Sequence, residues 1–276
     1  MKIRLDVCMV NRSLAATREK ARARILAGEV LVDGAAVTKP GTMIPEDAQI
    51  TLTGEGERFV GRGGRKLEKI LAEYRPSLEG RVCIDVGAST GGFTDCMLQR
   101  GAAKVFAVDV GTDQLAESLR KDPRVVNLEK TDIRTLTQEK LGGAAGFAGI
   151  DVSFISLAKV LPAVAALLAP GAELGCLVKP QFEVGRENIG KHGIAVRDER
   201  VHREMLLRVI ACARAAGFDV RGLSYSPIRG GSGNLEYLLY AAYEPGAEQS
   251  ADGDAAAAER TVHEAFLHYS QQGERS

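Results

Sequence analysis

Three carboxylates around a glycine-rich turn carry the first chemical signal. The run Asp85-Val86-Gly87-Ala88-Ser89-Thr90-Gly91-Gly92-Phe93-Thr94 follows an apolar stretch and leads into a helical pattern. Glycines there let the backbone approach a cofactor closely. A nicotinamide or flavin fingerprint wants glycine at positions 87, 89 and 92, and position 89 is Ser. Asp85, at the mouth of the turn, would also repel a pyrophosphate. S-adenosylmethionine has no phosphate and carries a cationic sulfonium and ammonium, so an acid is useful there. Asp109 lies 24 residues on, at the end of the next strand, where a carboxylate can accept both ribose hydroxyls. Asp132 is placed to meet an adenine amine. The cofactor-binding candidates are Asp85, Gly87, Ala88, Ser89, Thr90, Gly91, Gly92, Phe93, Asp109 and Asp132, and the cofactor they imply is S-adenosylmethionine.

Four further charges sit at comparable places. Asp151 and Lys179 end successive strands facing the same crevice, Glu236 begins the last strand, and Lys66 follows the run Gly61-Arg62-Gly63-Gly64-Arg65. Spacing alone does not show that they converge. An Asp at a strand end is as often a helix cap, Lys66 could be a plain phosphate contact, and Glu236 a simple edge-strand charge.

The elements that must position these residues alternate. Strands are expected at Arg81–Val86, Lys104–Val108, Arg124–Leu128, up to Ile150–Asp151, Glu173–Val178, Asp219–Tyr225 and Glu236–Ala242. Helices are expected from the turn to Arg100, over Thr112–Leu119, Leu157–Leu168 and Val201–Ala216, the last closed by Gly217. This is an α/β pattern, a mostly parallel sheet covered on both faces, with ligands outside the carboxyl ends of its strands. Pro180 to Arg200 is a long connection, read as a lid or RNA-contacting loop with Arg186, Lys191 and Arg197 as candidate phosphate contacts.

The first sixty residues read as a small α+β module. Thr17 is a candidate N-cap for a helix over Arg18–Ala27, Gly28 stops it, and Asp33-Gly34 turns a hairpin between short strands. Net charge is zero, with 36 Lys+Arg against 36 Asp+Glu, which excludes a globally basic nucleic-acid binder. The charges are segregated, however. Residues 1–40 hold eight bases against four acids, residues 58–69 five against one, and the stretch from Glu244 onward seven acids against two arginines. That asymmetry points to a polyanion partner at the N-terminal end.

The motifs carry a resemblance. Leu5-Asp6, Thr17-Arg18-Glu19-Lys20-Ala21, Gly28 to Gly34 and Val37-Thr38-Lys39-Pro40 resemble the S4 RNA-binding domain. The cofactor turn, Gly61 to Leu67, Asp151 to Leu157, Val178 to Glu183 and Gly233-Asn234-Leu235-Glu236-Tyr237 resemble the FtsJ-like ribose methyltransferases. Together they resemble the TlyA family, RNA ribose 2′-O-methyltransferases also labelled hemolysin A. The resemblance implies a Rossmann-like methyltransferase preceded by a small α+β S4 domain. The boundaries expected are 1–56 for the S4 domain, 57–62 for a linker, 63–245 for the methyltransferase domain, and 246–276 for an acidic tail with a short helix over Glu259–Tyr269. It further implies a catalytic tetrad of Lys66, Asp151, Lys179 and Glu236, with Lys179 activating the hydroxyl. RNA contacts are expected from Lys2, Arg4, Arg18, Lys20, Arg22, Lys39, Arg62 and Arg65. The expected substrate is a cytidine ribose in 23S rRNA, with 16S rRNA a second candidate.

Other classes fare worse. The five cysteines form no C-x-x-C pair and the four histidines have no ligand spacing, so no metal is expected. No signal core or membrane-length apolar run supports a membrane-active hemolysin, so a cytoplasmic monomer acting on ribosomal RNA or ribosomal subunits is expected. A non-catalytic RNA-binding protein has no need of Glu236, and Ser89 with Asp85 weighs against an oxidoreductase.

Overall fold

The computed structural model describes residues 2–15, 17–26, 28–53, 58–190, 193–230, 233–247 and 250–273. The chain divides into two compact units, residues 1–58 and 59–276. Positions 54–56 of the expected S4 domain, position 57 of the expected linker, and Lys191 lie outside the described residues.

In the first unit, β1 (Lys2–Arg4) leads into α1 (Leu5–Asn11), which packs on α2 (Arg18–Leu26). Thr17 Oγ1 accepts the Lys20 N–H at 3.2 Å, the N-cap bond that satisfies one orphan donor. β2 (Val30–Val32) and β3 (Ala35–Ala36) form the hairpin, turned by Asp33 and Gly34 at φ +49° and +82°, both left-handed as a type I′ turn requires. β4 (Met43–Pro45) pairs with β1, and β5 (Ile50–Leu52) with β2. Leu5, Met9, Ala21, Ile25, Val30 and Ile44 close the core.

The second unit opens with Phe59, buried, and Val60, whose N–H donates to Asp95 Oδ2 at 2.8 Å. α3 (Gly64–Tyr74) follows, its Leu67, Ile70 and Leu71 turned inward. Then come β6 (Val82–Val86), α4 (Gly92–Gln99), β7 (Lys104–Val108), α5 (Glu117–Arg120), β8 (Val125–Leu128), α6 (Gln138–Leu141) and β9 (Ala145–Ile150). The chain continues through α7 (Leu157–Ala165), β10 (Leu168–Val178), α8 (Pro180–Glu183), α9 (Glu199–Ala215), β11 (Phe218–Tyr225), β12 (Tyr237–Tyr243) and α10 (Asp254–Gly273). The seven-stranded sheet runs β11-β12-β10-β9-β6-β7-β8, parallel except that β12 is antiparallel to both neighbours. From β6 the chain winds outward to β8, then returns to β9 on the other side. The crevice at the ends of β6 and β9 is therefore the topological switch point.

Several elements differ from expectation. The helix expected over Thr112–Leu119 shrinks to α5, because Asp113, Gln114 and Leu115 donate their N–H groups to the Glu129 carboxylate instead of to a helical ladder. β10 starts at Leu168, where α7 was expected to end. The C-terminal helix is twenty residues long and packs on α9 and β11, burying Ala258, Val262, Ala265 and Tyr269 and pairing Asp254 with Arg214 at 2.8 Å. The described residues of Pro180 to Arg200, read as a lid or RNA-contacting loop, carry local structure. They hold α8, a 3-10 turn at Arg186–Asn188 and a bridge between Ile189 and Ala195.

Candidate active site

The cofactor turn is shaped by close approach. Gly87 has φ +86°, and a Cβ there would stand 2.6 Å from the Asp151 carbonyl oxygen. Gly92 packs on α3, where a Cβ would meet the Gly64 nitrogen at 2.7 Å. Ser89 also takes the left-handed region, at φ +47°, and its N–H donates to Asp109 Oδ2 at 2.8 Å. The Ser that excludes a dinucleotide fingerprint is thereby held in place by the acid of the next strand.

Asp85 has no exposed surface. Its Oδ2 accepts the Thr94 N–H at 2.8 Å and the Thr94 hydroxyl at 2.6 Å, while Oδ1 has no hydrogen-bond partner. Burial pushes its carboxyl up to about 7, against the Thr94 bonds and with help from Asp151 and Asp109. A buried, half-satisfied acid on a cavity wall fits a cationic group of the cofactor. Two cavities of about 210 and 420 Å³ share Gly87, Ser89, Asp151 and Ser153. The smaller one adds Asp85, Ala88, Thr90, Gly92, Phe93 and Lys179, the larger Asp109, Val110, Asp132 and Ile133. Ala88 and Phe93 are mainly core packing. Asp109 Oδ1 takes the Gly111 N–H at 2.7 Å, and Asp109 lines the larger cavity. Asp132 lines the same cavity, but its carboxylate is already engaged by the Arg134 guanidinium at 2.6 Å, which holds its pKa below the ordinary value. Val110, 74% exposed, and Ile133 give the larger cavity apolar surface.

The four charged candidates meet at the other end of this crevice. Lys66, on the buried face of α3, places Nζ 2.6 Å from Glu236 Oε2, directly before β12. Lys179 Nζ lies 2.6 Å from Asp151 Oδ1 as an ion pair and donates to Ser153 Oγ at 2.9 Å. The two pairs are electrostatically joined. Burial raises the Glu236 carboxyl, Lys66 counters it, and Asp151 and Lys179 are both close enough to act on it. A Cβ on Gly63 would lie 3.6 Å from Asp151 Oδ2, so α3 begins against the second pair. Sequence reasoning missed Ser153, Thr94, Glu129 and Phe154. Ser153, Thr94 and Phe154 stand inside quoted motifs, but nothing in the chain order shows their contacts. Phe154 is 91% exposed at φ +65°, with its ring 5.1 Å from that of Phe182.

The expected RNA contacts divide into two groups. Arg4 and Arg18 both bind the buried Asp6, at 3.0 and 3.1 Å, and the Arg4 bond foremost holds its carboxyl down at about 2. These two arginines have a structural duty the sequence did not show. Lys2, Arg22 and Lys39 are exposed in the first unit and Lys20 is half-buried, while Arg62 and Arg65 are exposed in the second.

Comparison with known proteins agrees with this geometry. Residues 59–243 match the FtsJ-like methyltransferase family and residues 3–50 the S4 domain. The 16S/23S rRNA (cytidine-2′-O)-methyltransferase TlyA of Mycobacterium tuberculosis is 43% identical over 264 residues, 95% of this chain and 98% of that protein. The chain belongs to the TlyA family of FtsJ-like methyltransferases. A further TlyA-family relative, the 23S rRNA (cytidine-2′-O)-methyltransferase of Campylobacter jejuni, is 34% identical over 250 residues, 84% of this chain and 96% of its own. A solved structure from Streptococcus thermophilus, described there as a hemolysin, matches with a TM-score of 0.78 at 43% identity, covering 99% of this chain and 98% of that one. TlyA membership makes the chain a methyltransferase, and its cofactor is S-adenosylmethionine. Among the described residues no helix is long and apolar enough to cross a membrane.

Proposed function

We propose that this chain methylates the ribose 2′-hydroxyl of a cytidine in 23S rRNA, in the cytoplasm and as a monomer, with 16S rRNA as a second substrate. The observation that carries the reading is Lys179, held between Asp151 and Ser153 at the rim of the cofactor crevice, beside the buried Lys66–Glu236 pair. S-adenosylmethionine supplies an electrophilic methyl group. Asp85 would bind its cationic end, Asp109 its ribose hydroxyls, and Asp132 and the apolar wall its adenine. A ribose hydroxyl is a poor nucleophile, so positioning and removal of its proton are what the protein must add. Lys179 activates the hydroxyl: with its ion-pair proton first released to solvent, the neutral Nζ takes the hydroxyl proton as the new O–C bond forms, and Asp151 orients Lys179. Lys66 and Glu236 hold the ribose and polarise the site without adding net charge. Phe154, exposed at the same rim, offers a ring face on which a splayed-out base can stack. The first unit docks on folded rRNA through Lys2, Lys20, Arg22 and Lys39, with Arg62 and Arg65 of the second unit contacting phosphates near the target, and the boundaries 1–56, 57–62, 63–245 and 246–276 describe this division of labour. The names of the two TlyA relatives support the substrate class.

The test is transfer of tritiated methyl from S-adenosylmethionine to purified 50S and 30S subunits. Ribose label on 50S RNA is expected, reduced about a hundredfold or more by Lys179→Ala, and label on 30S would establish the second substrate. Absence of label on either, with RNA binding intact, would overturn the reading.

A further inference from the structure

Two buried polar side chains have no part in that mechanism. Asn234 is 3% exposed and His202 is 2% exposed, and both direct their hydrogen bonds at one segment. Asn234 Oδ1 accepts the Ala195 N–H at 2.9 Å, and its Nδ2 donates to the Gly193 carbonyl at 3.2 Å. His202 Nε2 lies 2.9 Å from the Val196 carbonyl, which can only accept, so Nε2 carries the proton. Burial favours the neutral ring, leaving Nδ1 to accept from the Tyr237 hydroxyl at 2.6 Å.

The segment they hold is a small hairpin. Ile189 pairs antiparallel with Ala195, Gly190 N–H donates to the Ile194 carbonyl at 2.8 Å, and Val196 N–H to the Asn188 carbonyl at 2.9 Å. Its root follows α8, where Glu183 binds Ser156 and the Leu157 N–H at the start of α7. Its inner edge is satisfied by side chains instead of by another strand. Those side chains belong to the immediate surroundings of Glu236: Asn234 stands two residues before it, and Tyr237, the partner of His202, one residue after. The carboxylate has little freedom of its own. The Asn234 carbonyl accepts the Gly230 N–H at 3.0 Å, and a Cβ on Gly230 would lie 2.4 Å from Glu236 Oε1.

We propose that Asn234 and His202 are positioning residues for methyl transfer, clasping the Asn188–Val196 hairpin to residues 234–237 so that Glu236, and with it the Lys66 ammonium, is fixed in the crevice. The described residues of the hairpin then brace residues 234–237 from behind. This inference rests on the methyltransferase reading and adds residues that never touch substrate. Both side chains are uncharged, so removing them changes no charge in the site, and any loss of turnover is a loss of geometry.

The test compares Asn234→Ala, His202→Ala and His202→Gln with wild type on 50S subunits. Gln can offer an acceptor and a donor in place of the imidazole. The kcat is expected to fall tenfold or more in both Ala variants, with the dissociation constant for S-adenosylmethionine, measured by calorimetry without RNA, within twofold of wild type. His202→Gln should regain more than half of the wild-type kcat. An unchanged kcat in both Ala variants, or cofactor affinity falling in step with kcat, would overturn the proposal. Amide hydrogen exchange on the wild-type protein reads the clasp without any variant. The Ala195 amide should be protected like those of β12, and exchange at an open-loop rate refutes the clasp even where a variant fails to fold. A wild type that methylates no RNA would sink the methyltransferase reading and the positioning role with it, while exchange at Ala195 still decides whether the clasp exists.

Discussion

Lys66 Nζ and Glu236 Oε2 meet at 2.6 Å across 170 positions of sequence, with only 10% and 3% of their side chains exposed. Burial raises the Glu236 carboxyl and Lys66 opposes that shift, so each charge depends on the other. Removing one partner from a buried pair costs about 3–5 kcal/mol, whereas replacing both with apolar groups is often neutral. Lys66→Met and Glu236→Leu should therefore each lower Tm by roughly 10 °C for a unit of this size. The double variant should regain most of that Tm and none of the methyl transfer. Thermal denaturation beside the tritium assay checks this, and a double variant as unstable as either single would show that the pair is not a mutual dependence.

Asp85 gives a pH dependence with a definite sign. Its carboxyl, ordinarily near 3.8, sits at about 7 in the fold, so folding favours its protonated form and the free enzyme loses stability as pH rises from about 4 to 7, with no further loss from this group above that. A cationic cofactor favours the ionised form. Cofactor affinity should rise as pH climbs from 6 to 8, with a proton released on binding below 7. Calorimetry in two buffers of different ionisation enthalpy measures that proton. Asp85→Asn should bind cofactor weakly at every pH and lose the decline of Tm between about pH 4 and 7. Equal proton release in the variant and the wild type would refute the assignment.

How far the sequence could reach is clear from such groups. Strand ends are written in apolar runs, so Asp85, Asp109, Asp151 and Lys179 can be placed at the crevice from the chain alone. Glu236 and Lys66 could not, because their meeting depends on β12 being inserted between β10 and β11 and on α3 lying over the same end. No local pattern encodes an antiparallel insertion. Only the family resemblance brought the four together. The same holds for the segment after Pro180, whose glycines and polar residues form no periodic face. Its order comes from Asn234 and His202, distant side chains that stand in for a neighbouring strand. The helix expected over Thr112–Leu119 failed for a related reason, since its amides have a better acceptor sixteen residues ahead.

That acceptor, Glu129, organises the cofactor loop. Its two oxygens take the N–H groups of Asp113, Gln114 and Leu115, whose bonds hold its pKa below the ordinary value against the burial that would raise it, and Arg120 adds an ion pair at 3.3 Å. Gln114 and Gly111 of this loop stand on the wall of the larger cavity beside Asp109. Glu129→Gln keeps one acceptor oxygen and should weaken S-adenosylmethionine binding a fewfold. Glu129→Ala leaves three donors to water and should weaken it about tenfold, with kcat at saturating cofactor little changed, because water replaces most of each lost bond at this partly exposed carboxylate while the loop loses its common acceptor. A fall in kcat without any change in cofactor affinity would show that the loop serves the chemistry directly.

The basic residues of the first unit should separate into two classes when replaced by Ala. Arg4 and Arg18 hold Asp6, whose carboxyl is depressed from 3.8 to about 2. A depressed carboxyl contributes stability that is present above pH 4 and is lost as pH falls through 2. Arg4→Ala and Arg18→Ala should lower the stability of this unit at neutral pH and flatten its acid transition over that window. Arg22 and Lys39 have no such acid partner among the described contacts and stand exposed. Their replacement should leave Tm within a degree or two and weaken RNA binding evenly across sequences. Each phosphate contact removed should also reduce the salt slope of binding by about 0.7–0.9. Titration of 50S subunits at three salt concentrations, beside a pH series of thermal melts, assigns each residue to its class. If Arg22→Ala moved Tm but not the salt slope, the exposed face of α2 would be a structural surface, and the RNA-docking reading would lose its footing there.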